Sequence, residues 1–131
     1  MNKKYLSRII AKDSQGLKLI SACCFQATLR ASELRYLKKN QIFLSFLQRY
    51  TRENNDEKIN SVCKFEFVES VKSKNIDQNN KDKIIELLAI NFFKKGENYE
   101  ITLLFQNNAF ITLSTEIVEV TLEDQNNKKN D

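Results

Sequence analysis

The residues with the most obvious capacity for chemistry are cations interleaved with rings: Arg30, Arg35, Lys38, Lys39, Arg49 and Arg52, with Tyr36 and Tyr50 among them. Guanidinium groups pair with phosphates and tyrosine rings stack under bases. Arg35, Arg49 and Arg52 beside Tyr36 and Tyr50 therefore form a candidate surface for RNA or single-stranded DNA. Cations near a hairpin turn also keep sheet edges soluble, a reading that needs no ligand. A second candidate is Lys72-Ser73-Lys74, where two ammonium groups and N–H donors at a strand exit could hold a small anion. The carboxylates Glu66 and Glu69, Glu116 and Glu119, and Glu123 with Asp124 fall in strand-like, acidic sequence and read as solvent-facing.

Much chemistry is excluded by composition. Histidine is absent, which removes the Ser-His and Cys-His dyads and the usual His-containing zinc sites. With only Gly16 and Gly96, no glycine-rich phosphate loop can be spelled. Cys23, Cys24 and Cys63 are odd in number and two are adjacent, so they read as free buried thiols rather than a disulfide framework. No apolar run approaches the roughly 20 residues of a membrane helix, and the first residues lack a signal-peptide pattern, so a cytosolic protein is expected. No cofactor or metal is expected either.

Charge is divided along the chain. Residues 1–52 hold eleven Lys and Arg against two acids, net +9, and residues 53–131 hold ten against fifteen, net −5. Strands from the two halves lying side by side would neutralise each other, and that is favoured over a dedicated basic face.

Periodicity places these groups on a sheet. Tyr5 to Ala11 suits an edge strand, and Asp13 can cap a helix over residues 13–24, with Leu17, Ile20, Ser21 and Cys24 at helical spacing. Gly16 weakens that helix by about 1 kcal/mol relative to Ala. Thr28 to Thr51 alternates around the turn Lys38-Lys39-Asn40-Gln41, Arg52 to Asn60 reads as a loop, and Val62 to Val71 as one strand. Asn75 to Lys83 is a polar connection. Ile84 to Phe93 satisfies both periods, with its later part read as strand, and Gly96 supplies a turn before Tyr99 to Gln106. A two-residue turn at Asn107-Asn108 would oppose Phe105 to Phe110 and Leu103 to Thr112, with apolar groups on both faces and cover needed on each.

Ile20-Ser21-Ala22, Ala27 to Leu29, Glu33-Leu34, Phe43 to Tyr50, Ile76-Asp77, Leu87-Leu88 and Val118 to Asp124 together resemble the domain of unknown function 2948 family, mainly alphaproteobacterial, from about Ile9 to Asp124. The resemblance implies a small bacterial cytosolic protein and brings no activity with it. In the family pattern a Gln-Asp pair follows the first helix, where this chain has Phe25-Gln26. A Gly stands there in place of Asn75, and Asn is the non-glycine residue that best tolerates a positive φ.

The sequence thus predicts an α+β fold: a mostly antiparallel β meander of six to eight strands, forming a curled sheet or partly open barrel, with one N-terminal helix packed on it. Residues 1–124 are expected as a single domain and 125–131 as a polar tail. The function it favours is a non-enzymatic protein-interaction module acting on another cytosolic protein, as monomer or homodimer. Nucleic-acid binding by the first hairpin is the alternative, and an enzyme or binder acting on a small anionic metabolite at Lys72, Ser73 and Lys74 is the third.

Overall fold

The computed structural model describes residues 7–51, 57–77 and 79–125. Arg52 lies outside them, as do Tyr5 and Leu6 and residues 126–131 of the expected tail. Strand β1 (Arg8–Ala11) leads into helix α1 (Ser14–Cys23). Asp13 caps that helix by accepting from the Gly16 N–H at 2.8 Å, which satisfies one of the donors that a helix start leaves open. Its apolar stripe, Leu17 and Ile20 with Cys24 beyond, is buried.

Gly16 has a second reason to be there. A Cβ at that position would lie 2.9 Å from the Ala11 Cβ and 3.0 Å from its Cα. The missing side chain is what allows helix and β1 to approach so closely.

Nine more strands follow: β2 (Ala27–Arg30), β3 (Leu34–Leu37), β4 (Ile42–Tyr50), β5 (Lys58–Phe65), β6 (Val68–Lys74), β7 (Ile84–Lys95), β8 (Asn98–Phe105), β9 (Phe110–Thr115) and β10 (Val120–Asp124). They form one antiparallel sheet in the order β1-β10-β5-β4-β2-β7-β8-β9-β6, with β3 also on β4. The sheet curls without closing into a barrel. The helix packs against β7 and β1, and the Ser21 Oγ accepts from the Ile90 N–H at 2.9 Å. This is the expected class with more strands than the six to eight foreseen.

Three differences in the strands have local causes. The run Val62 to Val71 breaks at Phe67, which takes φ 59, so one expected strand becomes β5 and β6. That corner is held by the Val68 N–H donating to the Gln41 carbonyl at 2.8 Å and the Tyr36 hydroxyl donating to the Val68 carbonyl at 2.8 Å. Residues 84–95 are strand throughout, because the early part pairs with β2 and the later part with β8, across a bulge between Leu87 and Ala89.

The β8–β9 turn is longer than two residues. Gln106–Asn108 form a 3-10 turn with both asparagines at positive φ, and the Phe105 N–H reaches the Ala109 carbonyl. Leu104 therefore opposes Phe110, and Leu103 opposes Ile111. That one-residue slip sorts the hairpin into a buried face (Ile101, Leu103, Phe105, Ile111, Leu113) and a half-exposed one. Cover is needed on one side only.

Two turn positions follow expectation, whereas Gln26 and Gln41 take φ 66 and 58 with no signal in the sequence. Asn75 takes φ 62 and Gly96 φ 63, and the Asn75 Nδ2 donates to the Asn108 carbonyl at 2.8 Å. Among the described residues no helix is long and apolar enough to cross a membrane.

Candidate functional site

Strand β4 divides the candidate residues between two environments. Phe43, Ser45, Leu47 and Arg49 point into the fold, and Leu44, Phe46, Gln48 and Tyr50 point outward. Alternation is the whole cause, since successive side chains of a strand take opposite faces.

Arg49 is thus a core residue, 6% exposed, and not a group placed for phosphate. Its Nε donates to the Asp124 Oδ1 at 3.0 Å and its Nη2 to the Oδ2 at 2.9 Å. The same carboxylate accepts from the Ser61 hydroxyl at 2.7 Å and from the Ser7 N–H at 3.1 Å. Asp124, expected in solvent with Glu123, is 5% exposed. The pair joins the basic and acidic halves at one buried point, and it ties β10 and the start of the described chain to β4. Parity carried the signal: Asp124 continues the inward series Val120, Leu122, and Arg49 continues Phe43, Leu47.

Above this ion pair the fold has a mouth. A depression of about 510 Å³ is lined by Ala22, Cys23, Phe25 and Gln26 from the end of α1 and by Arg49, Tyr50 and Thr51 from the end of β4. Phe25 stands 54% exposed at its rim. Gln26 holds φ 66, and its N–H donates to the Leu87 carbonyl at 2.8 Å, which fixes the turn.

The outward face of β3–β4–β5 is a different surface. The Arg35 guanidinium lies 5.5 Å from the Phe46 ring centroid, and the Lys58 ammonium lies 4.9 Å from that of Tyr50. Lys58 also donates to the Thr28 hydroxyl at 3.0 Å. Leu44, Val62 and Lys64 are half-buried between them. Phe46 and Tyr50, four residues apart, place the two cation-capped rings about 13 Å apart along one strand. Of the sequence candidates, Arg35 and Tyr50 meet on this face. Tyr36 does not, since its ring packs inward with its hydroxyl on the Val68 carbonyl. Sequence reasoning missed Phe46 and Lys58, although Phe46 shares Tyr50's parity.

Lys72 and Lys74 stand outward on the edge strand β6, opposite Thr112 and Phe110, whereas Ser73 opposes Ile111 on the inward parity. The three therefore do not converge. Lys72 instead helps to line a second depression of about 310 Å³ with Ser70, Lys95, Asn98, Glu100, Thr112 and Ser114.

The thiols offer no nucleophile ready at neutral pH in the core. Burial pushes Cys24 up to about 12, against the pull of nearby Arg49. Cys63 is raised well above its ordinary value, again by burial. Among the described residues no group of His, Cys, Asp and Glu is arranged to hold a metal ion.

Comparison with known proteins adds a family and no chemistry. The family model described as "Protein of unknown function (DUF2948)" matches residues 7–130. No curated protein and no solved structure matches. The match spans nearly the whole chain, so this protein belongs to the DUF2948 family.

Proposed function

We propose that this chain is a non-enzymatic interaction module that engages another cytosolic protein through the outward face of β3–β4–β5. The observation that carries the reading is the composition of that face. Half-exposed apolar side chains (Leu44, Phe46, Val62) lie under and between cations (Arg35, Lys58, Lys64). Surfaces that bind proteins join apolar and aromatic area to charge in this manner. The buried polar cluster at Arg49 supports the same reading from the other side, since its donors and acceptors are already engaged with one another.

The test is comparative capture from nuclease-treated native extract, using the wild type and the triple variant Arg35→Glu, Tyr50→Ala, Lys58→Glu. A partner held by the wild type and lost by the folded variant is the expected result. An unchanged partner set, or none in either, would overturn the assignment.

A second reading has its own observation: two aromatic rings, each with a cation on it, spaced along one strand suit a single strand of RNA or DNA, with Arg35 and Lys58 on phosphates. Anisotropy titration with short oligonucleotides at low and moderate salt separates the two. Nucleic-acid binding must weaken steeply as salt rises and must fail in the same triple variant.

A further inference from the structure

The outward face of β6–β9–β8–β7 carries a feature that the β4 surface does not explain. Strand register aligns side chains in rows across these four strands: Lys72, Thr112, Thr102 and Asn91 in one, and Ser70, Ser114, Glu100 and Phe93 in the next. The depression of about 310 Å³ sits on these rows and is lined entirely by polar residues. Three hydroxyls (Ser70, Thr112, Ser114), one amide (Asn98), one carboxylate (Glu100) and two ammonium groups (Lys72, Lys95) converge there. Phe93, 52% exposed, lies outside this lining and pairs with Glu100 across β7 and β8.

We infer that this depression is a binding site for an anionic sugar unit. Each element matches one part of such a ligand. Lys72 has no ion-pair partner among the described residues and is free to meet a phosphate or carboxylate. Lys95 is held 3.2 Å from the Glu100 Oε2; this orients the carboxylate, which accepts hydrogen bonds from sugar hydroxyls as only an acceptor can. Ser, Thr and Asn side chains donate or accept as a polyol requires. Asn98 is itself fixed by donating to the Glu69 Oε1 at 3.0 Å. The Phe93 ring gives the C–H face of a pyranose an apolar surface to lie on. A volume near 300 Å³ is at the lower end for small-molecule sites, the size of one sugar ring with its anionic group.

Edge lysines alone would be explained by the need to keep β6 unpaired. That need does not account for the hydroxyl rows, the oriented carboxylate or the bare aromatic ring beside it. A simple anion would use Lys72 but neither Glu100 nor the Phe93 ring. The inference is independent of the β4 face, so either can fail without the other.

The test is a titration followed by amide NMR with three probes: glucose 6-phosphate, glucose and inorganic phosphate. Glucose 6-phosphate is expected to shift Ser70, Lys72, Glu100, Thr112 and Ser114 selectively, and to bind at least about tenfold tighter than either fragment, a difference of about 1.4 kcal/mol. Lys72→Ala and Phe93→Ala, both at exposed positions that leave the core intact, should each weaken it several-fold. No shift at high millimolar concentration, shifts centred elsewhere, or equal affinity for inorganic phosphate would each overturn the assignment. Binding unchanged in both variants would do the same.

Discussion

The two sides of the sheet around β4 hold cations in opposite roles. Arg49 on the inward face is locked to Asp124 in a fork, at 6% exposure, while Arg35 lies over the half-exposed Phe46 ring and Lys58 over the exposed Tyr50 ring on the outward side. A buried cation is tolerable only when its charge and donors are met inside the fold. An exposed one interacts weakly with its own protein and so stays available to others. The face to which strand parity assigns a cation decides whether it is locked inside the fold or left at the surface.

The largest effect that could break this contrast is at Asp124. Asp124→Ala leaves Arg49 charged and unpaired in the core, and equilibrium denaturation should show a loss of about 3 to 5 kcal/mol. A loss below about 1 kcal/mol, the scale of an exposed pair, would mean that the ion pair is no structural centre. Next is Gly16, on the interior side where helix and β1 touch. Gly16→Ala gains about 1 kcal/mol of helix propensity, yet forces a Cβ to 2.9 Å from that of Ala11. A net destabilisation of about 1 to 2 kcal/mol is expected from overpacking, and Ala11→Gly should restore only part of it, since the backbone Cα stays 3.0 Å away. A more stable Gly16→Ala protein would show that the contact yields freely.

The thiols sharpen the interior side through pH. Cys24 has its pKa raised from 9.0 to about 12 by burial, so the native state keeps the proton where the unfolded state has lost it. The unfolded state then binds fewer protons, and stability falls as pH rises above 9.0 toward 12. Denaturation across this range should show a shallower fall in Cys24→Ala than in the wild type. Labelling with a thiol reagent at pH 8 should modify Cys23, which is partly exposed, ahead of Cys24 and Cys63. The smallest effects belong to the outward face. Arg35→Ala and Lys58→Ala should each cost under about 1 kcal/mol, the range of exposed cation–π contacts. That cost is small enough for the binding variants to remain folded.

Period-two alternation made the sheet legible, and Asp13 with its helical spacing made α1 legible, because both are local patterns. Gly96 was readable as a positive-φ position for the same reason, and Asn75 through the Gly that stands there in the family pattern. Phe67 was not. A phenylalanine at φ 59 is held there by the corner between β5 and β6, with the Val68 N–H on Gln41, and no local pattern announces such a constraint. The β8–β9 register turned on whether Gln106 belonged to strand or turn, which tertiary pairing settled. In the site, residue type suggested Arg35, Arg49, Tyr36 and Tyr50 together, whereas parity separates them. Parity was available in the sequence for Arg49 and Asp124. That Lys72, Ser114 and Glu100 line one depression was not, since it depends on which strands become neighbours.

The most direct measurement is the comparative capture on nuclease-treated extract, wild type against Arg35→Glu, Tyr50→Ala, Lys58→Glu, with circular dichroism confirming that the variant is folded. The outward face of β3–β4–β5 as a protein-binding surface predicts a specific partner retained by the wild type and absent from the variant. The same partner held equally by both would place the interaction elsewhere on the molecule and contradict the assignment.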